Sequence, residues 1–428
     1  MSGSDSGGDG SGEKSGYSAW SLLREGLRGQ RGWTHAWRDR DPDAEYDVVV
    51  IGGGGHGLAT AYYLARTHGL RRVAVLERGW IGGGNTGRNT TIIRSNYFHP
   101  PSAALYDLSV SLYEGLSREL EYNLMFSQRG LVEVAHGEAD LETMARAANA
   151  MRLNGIDIEI VSRDEVLRLA PLLDPSPHCR WPVRGGLVQR RAGTARHDAV
   201  AWGYARAADR LGVHVVQNCE VLGFDTAAGR LAAIETSRGR IRADRFGLAV
   251  AGHSSVLAAR AGFRLPLQSY TLQAMVSEPV KPCLDTIVMS TANGMYVSQS
   301  DKGELVIGGS LDRTPSYAQR GSFRVTRSVI AALVEMFPSF ATLKLMRQWG
   351  GTVDTAPDNS PIIGESPLPG LYLNCGWGTG GFKAIPAGGT LFAHLLATGG
   401  PHPLSLPFGL DRFETGELID EGHAGVVH

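Results

Sequence analysis

YDVVVIGGGGHGLATAYYLARTHGLRRVAVLE, Tyr46 to Glu77, is the stretch whose reading decides the fold. Val48 to Ile51 form the continuous apolar run of a strand buried on both faces. Gly52, Gly54 and Gly57 follow at G-x-G-x-x-G spacing. The first permits a tight turn, the second lets a pyrophosphate approach the backbone, and the third lets the helix from Leu58 pack close on the strand. Amides at the helix start, Gly55 and His56 among them, meet phosphate charge. A second β-rich run, Val73 to Leu76, ends in Glu77, whose carboxylate can accept hydrogen bonds from a ribose. A lone glycine turn marks only close packing, but with both strands, the helix and the acid in place the unit reads as a dinucleotide site. Glu77 disfavours a 2′-phosphate, which leaves FAD or NAD.

Outward from Glu77, GWIGGGNTGRNTTIIRSNY (Gly79 to Tyr97) leaves no room for the next helix of a plain NAD-binding fold. It can line a second, flatter part of a long cofactor, or be a surface loop rich in turn formers. Within it, alternation puts Thr90, Ile92 and Arg94 on one face. Far downstream, GWGTGGFK (Gly376 to Lys383) follows a buried-looking strand and precedes a helix. There, backbone amides can stabilise the negative charge of a reduced flavin; a close-packed corner is the plainer alternative. Arg94, interleaved with apolar residues, and Lys383 could clamp a substrate carboxylate, one by its planar fork and the other by point charge. A solvated or salt-bridged surface role is the alternative for each.

At 428 residues the chain suits two or three domains, and 43% hydrophobic with 20% charged residues is ordinary for a globular protein. A net charge of −1 gives no reason to expect nucleic acid or an anionic membrane as partner. No apolar run is long enough to span a bilayer and no signal peptide is evident, so the cytoplasm is expected. Cys179, Cys219, Cys283 and Cys375 are scattered, without CxxC or clustered histidines. Reduced, packed thiols and no metal site are expected.

The expected fold class is α/β: a Rossmann-like FAD-binding domain built from discontinuous segments, plus an α+β substrate domain with an antiparallel sheet. Residues 1–16 read as a disordered tail. Residues 17–45 form an arm whose Trp20, Leu22, Leu23, Leu27, Trp33 and Trp37 need something to dock on. Segments 46–105, 190–265 and 346–400 make up the FAD-binding domain, 106–189 and 266–345 the substrate domain, and 401–428 a C-terminal tail. Periodicity predicts helices over 101–121 and 141–152, and over 198–212 with Asp198 as N-cap. Strands are expected at 130–134, 156–160, 213–217, 220–224, 246–251, 295–298, 305–308 and 371–374. No internal repeat is visible.

These residues resemble the β subunits of heterotetrameric sarcosine oxidases, within the amino-acid-oxidase-like flavin amine oxidases. The motifs carrying the resemblance are YSAWSLLREGL, VVVIGGGGHGLATAYYLA, NTTIIRSNY, FSQRG (Phe126 to Gly130), AGTARHD (Ala192 to Asp198), NCEVLGF, AGHSSVLA and NCGWGTGGFK, covering nearly everything after residue 16. The resemblance implies noncovalent FAD held by Gly52, Gly54, Gly55, His56, Gly57, Glu77, Asn85, Arg88, Thr90, Val221, Gly378, Gly381 and Lys383. It also implies FMN bonded covalently to His197, near a surface that meets an α subunit, with γ and δ chains completing the enzyme. Residue by residue alone, His197 merely precedes a helix. By the same resemblance Arg94 and Lys383 bind the substrate carboxylate. Related single-chain oxidases carry a further arginine three positions before Arg94, where this chain has Thr91. They also often bond FAD through a cysteine in the region of Cys283 to Gly309, where no convincing equivalent stands.

The implied activity is oxidation of sarcosine to glycine and formaldehyde, or to a one-carbon unit captured by tetrahydrofolate. Electrons would pass from FAD to FMN and on to oxygen, giving hydrogen peroxide. Two other readings stay open: a β subunit of a proline or opine dehydrogenase complex, and a noncatalytic flavin-binding assembly subunit.

Overall fold

In the computed structural model, residues 19–31 and 36–419 are described. The expected tail at 1–16 and Trp33 lie outside them. Residues up to Ala36 and those from Trp37 onward form separate units. In the first, Ala19–Leu27 is a helix whose spacing puts Trp20, Leu23 and Leu27 on one stripe.

The second unit is organised by two eight-stranded sheets. In the first, the strands run in the order Ile362–Glu365, Leu371–Cys375, Gly239–Leu248, Glu45–Ile51, Val73–Leu76 and His214–Val216. All but the outermost pair are parallel, with Val49 opposite Phe246 and Val48 opposite Val73. Parallel strands here are covered on both faces, which is why Val48 to Ile51 carry no polar alternation. Helices Gly55–Arg66, His197–Arg210 and Ile385–Thr398 pack into one core, the first of them buried almost all round. A hairpin, Val221–Ala227 with Arg230–Thr236, extends the strand Gly239–Leu248 on its other side.

The second sheet runs Leu345–Thr355, Gln268–Pro279, Glu304–Pro315, Met295–Gln299, Ile287–Ser290, Leu131–Ala135, Gly185–Gln189, Glu159–Ser162. Its pairs are antiparallel except Ile287–Ser290 beside Leu131–Ala135, so it is mixed rather than antiparallel throughout.

Several expectations are corrected. Residues 345–355 belong to the second sheet, not the cofactor sheet, because their backbone pairs along Gln268–Ser277. The helix Pro100–Glu119, assigned by sequence mostly to the substrate domain, buries Leu105, Val110 and Leu116 in the cofactor-side core. Alternation over 156–160 gives only the strand Glu159–Ser162; Ile156 and Ile158 instead pack with the helix Glu138–Leu153. The run 246–251 is the end of a longer strand that stops at Leu248, and Ala251–His253 is a 3-10 turn. Phe323–Met336 is a helix where the sequence predicts none. Its stripe of Val325, Val329, Ala332, Leu333 and Met336 packs on the second sheet, and Ser322 caps it. The segment after residue 400 is no loose tail as far as residue 419. Phe408 is buried, and the Arg412 guanidinium meets Asp358 twice, at 2.7 and 3.1 Å, both side chains being buried. Among the described residues no helix is long and apolar enough to cross a membrane.

Candidate active site

The strand Glu45–Ile51 delivers the chain into its glycine turn at the carboxyl end of the parallel sheet, where open α/β sheets bind ligands. Gly52 sits at φ +113°, a conformation that favours glycine. At Gly57 a Cβ would stand 1.9 Å from the Gly52 carbonyl oxygen, so this third glycine exists for helix–strand contact. Glu77 is fixed by two amides, accepting from Gly53 N at 2.8 Å and Gly79 N at 2.9 Å.

A cleft enclosing about 1600 Å³ of empty space, its open mouth included, runs along this edge. Gly52, Gly54, Gly55, His56 and Glu77 line one part, joined by Asn85 and Arg88 from the loop and Val221 from the hairpin. Gly378 and Gly381 of the late turn close it. Of the sequence-derived cofactor set, Gly57, Thr90 and Lys383 do not line the cleft; Gly57 packs beneath it and the other two line its neighbour.

His56 ties the two glycine turns together. Its ring stacks on Trp377 at 4.5 Å, and Nε2 donates to the Gly381 carbonyl at 2.8 Å. Because that partner only accepts, Nδ1 carries a lone pair, and it has no partner. Burial lowers the imidazole to about 4, so it is neutral. Asp354 Oδ2 accepts from Gly376 N at 2.7 Å and lies 3.2 Å from Ser254 Oγ, which holds the late turn to the second sheet. Burial raises this carboxyl.

A smaller cavity adjoins the cleft, sharing Arg88, Asn89, Leu272, Thr379 and Phe382 with it. Arg94 and Lys383 both line it, at 2% and 6% exposure. Arg94 donates to Asn96 Oδ1. Lys383 Nζ donates to the Thr379 carbonyl at 3.1 Å and to Tyr97 Oη at 3.5 Å. Burial, with the Arg94 charge beside it, brings Lys383 well below its ordinary value. Arg88, Arg94 and Lys383 all line this cavity, and so much positive charge attracts an anion. Thr90 also lines it and donates to Tyr296 Oη at 3.0 Å. Only Ile92–Ile93 of this run is strand, paired with Gly193–Thr194. Thr91 adopts φ +67°, unusual for a β-branched residue, with its amide bonded to Asn89 Oδ1.

His197 lines neither cavity. It is the first residue of the helix, Arg196 being the cap, so Asp198 falls inside the first turn and does not cap it. Its side chain is 28% exposed, Nδ1 accepts from Asp198 N at 2.8 Å, and burial lowers its pKa. The ring lies against the Gly87 carbonyl, on the turn Asn85–Arg88 whose Asn85 and Arg88 line the cleft. All four cysteines are free thiols; Cys219 lines the cleft, while Cys283, partly buried, lines neither cavity. Among the described residues no cluster of acids, histidines and cysteines could hold a metal.

Sequence reasoning missed Asp354 and Tyr97. Tyr97 stood in the quoted run NTTIIRSNY, next but two to Arg94. Asp354 gives no local signal, since its partner is 22 residues away.

The elongated cleft, its glycine-lined edge and the buried unpartnered His56 Nδ1 and Thr352 Oγ fit a long cofactor with polar and flat parts. Residues 47–395 match the FAD dependent oxidoreductase family, and the chain belongs to it. It is an amine-oxidising flavoenzyme. Within that class it belongs with the sarcosine oxidase β subunits. It is 52% identical to sarcosine oxidase subunit beta of Rhodobacter capsulatus, over 96% of this chain and 99% of that one. With the Rhizobium meliloti subunit it shares 53%, covering 96% and 98%. Among solved structures, L-proline dehydrogenase from P. horikoshii superimposes with a TM-score of 0.82 at 27% identity, covering 87% of this chain and 99% of that one. Glycine oxidase from Geobacillus kaustophilus, at 23% identity and a TM-score of 0.78 over 86% and 99%, shares the fold.

Proposed function

We propose that this chain is the FAD-bearing β subunit of a heterotetrameric sarcosine oxidase working with α, γ and δ partners in the cytoplasm. The reading rests above all on one observation: Arg94 and Lys383, both buried, line a small cavity that adjoins the cleft and shares lining residues with it. FAD is held noncovalently along Gly52, Gly54, Gly55, His56, Glu77, Asn85, Arg88, Val221, Gly378 and Gly381. Gly57 supports this edge from beneath, and Thr90 and Lys383 face the cofactor from the smaller cavity.

Arg94 and Lys383 take the sarcosine carboxylate, by fork and point charge. Phe382, Leu272 and Met289 exclude water from the cavity. The amine enters neutral, so no side chain is assigned proton removal. When bound, FAD supplies the two-electron acceptor against which the N-methyl carbon is oxidised, giving an imine that hydrolyses to glycine and formaldehyde or yields its carbon to tetrahydrofolate on a partner. His197 is the covalent attachment point for FMN; its lowered pKa keeps the imidazole neutral, the form able to bond carbon. Bonded there, FMN would supply a second electron carrier between FAD and oxygen, with hydrogen peroxide as the product.

The test is anaerobic addition of sarcosine to the enzyme assembled with its partners. Bleaching of the flavin absorbance is expected, and its absence would favour a noncatalytic assembly subunit. Denaturing electrophoresis under ultraviolet light should show a fluorescent band that disappears in His197→Ala. The likeness to L-proline dehydrogenase supports a second reading, a dehydrogenase β subunit acting on proline or an opine. Dye reduction with those substrates and no peroxide with sarcosine would select it.

A further inference from the structure

The segment that carries Arg94 is buried yet has no regular structure. The strand Ile92–Ile93 ends before it and the helix Pro100–Glu119 begins after it, while Arg94, Ser95, Asn96 and Tyr97 are all buried. Buried backbone outside a helix or sheet must find its hydrogen bonds elsewhere. Within the segment, Tyr97 N donates to the Ser95 carbonyl at 2.7 Å and the Arg94 guanidinium donates to Asn96 Oδ1. Both bonds travel with the segment, so neither fixes it relative to the cavity.

A fixed point comes from the second sheet. Gln189, the last residue of the strand Gly185–Gln189, is fully buried and lines neither cavity. Its Oε1 accepts from Ser95 N at 2.9 Å and its Nε2 donates to Ser95 Oγ at 2.8 Å, so one amide grips both the N–H and the hydroxyl of one residue. Nε2 also donates to Asp157 Oδ1 at 3.1 Å, and Asp157 Oδ2 accepts from Arg191 N at 3.2 Å, which braces the amide from its far side. An N–H on one side and a carboxylate on the other leave the amide a single orientation. Ser95 N belongs to the peptide plane that begins at Arg94 Cα. Holding that N–H in place therefore sets ψ of Arg94, and with it the direction in which the side chain leaves the backbone.

We propose that Gln189 is a positioning residue for the substrate: by clamping Ser95 it aims the Arg94 guanidinium into the small cavity without touching the substrate itself. The inference rests on, and deepens, the carboxylate reading of this cavity. An arginine meets a carboxylate through parallel N–H donors, so its contribution depends on angle as well as distance. A buried amide is unfavourable unless its partners are all in place, and here Ser95 and Asp157 supply them.

The test uses the assembled, FAD-loaded enzyme and acetate as a bare carboxylate probe, with binding read from the flavin absorbance. Gln189→Met keeps the length of the side chain and deletes its hydrogen bonds. Acetate should bind roughly three- to tenfold more weakly, with FAD content unchanged. In an Arg94→Met background, which still holds Lys383, the same substitution should have no further effect, because a residue acting through Arg94 has nothing left to aim. If Gln189→Met fails to assemble, Ser95→Ala removes the hydroxyl end of the clamp and should weaken acetate by a smaller factor, again only while Arg94 is present. Unchanged acetate affinity in the variant that assembles overturns the proposal, as does an equal loss with and without Arg94, the mark of a general loosening. Failure of the carboxylate reading looks different: Arg94→Met alone would then bind acetate like the wild type.

Discussion

Replacing Lys383 by Met should separate two quantities that most active-site changes confound. The ammonium sits in a cavity at 6% exposure beside Arg94, so the free enzyme bears an unfavourable buried charge. Met fills similar volume without it, and stability in the absence of substrate should hold or rise. Sarcosine loses a charge-assisted hydrogen bond, worth about 1.5–3 kcal/mol, or roughly a ten- to 150-fold rise in KM. Arg94 remains to orient the carboxylate, so KM should suffer more than kcat. FAD content should be unchanged, because Lys383 lines the smaller cavity and not the cleft. The assay is steady-state peroxide production across sarcosine concentrations, alongside flavin stoichiometry and thermal unfolding. An unchanged KM removes Lys383 from the substrate site, and loss of FAD would place it in the wrong cavity.

Other outcomes follow from single contacts. Gly57→Ala puts a methyl 1.9 Å from the Gly52 carbonyl oxygen, and backbone must move to admit it. Overpacking costs about 1–3 kcal/mol, against about 1 kcal/mol of helix propensity gained; FAD stoichiometry on gel filtration should fall. Arg412→Met strands the buried Asp358 carboxylate, a loss of about 3–5 kcal/mol by chemical denaturation. An unaltered midpoint would show that residues 401–419 do not brace the sheet edge. Asp354 has its carboxyl raised by burial, so the folded state binds its proton more tightly than the unfolded chain. That stabilisation is complete below the unfolded carboxylate value, about 4, and is lost as pH rises through the folded one; each tenfold difference in proton affinity between the two states is worth about 1.4 kcal/mol. Asp354→Asn should therefore gain stability over the wild type progressively from pH 4 upward, and parallel curves would refute the assignment.

The local grammar of the first βαβ unit was legible because each of its constraints lies within a few residues of its partner. A strand buried on both faces shows as Val48 to Ile51, and glycine spacing reports a turn, an approach and a helix contact. The helix Phe323–Met336 was also there to be read in its apolar spacing, Val325, Val329, Ala332, Leu333 and Met336, but the strands on either side of it drew the reading of that segment. Sheet membership was not legible. Residues 345–355 look like any strand, and only pairing along Gln268–Ser277 assigns them to the second sheet.

Sequence by itself thus determined the dinucleotide edge, the chain's class and the identity of Arg94 and Lys383 as residues worth watching. Tertiary structure decided that these two share one cavity, that His56 spans 325 positions to reach Gly381, and that Tyr97 meets Lys383 across 286. The physical reason is separation along the chain. A turn or helix is specified by neighbours that leave a periodic trace, whereas contacts closed by folding depend on how two sheets dock and leave no pattern around either partner.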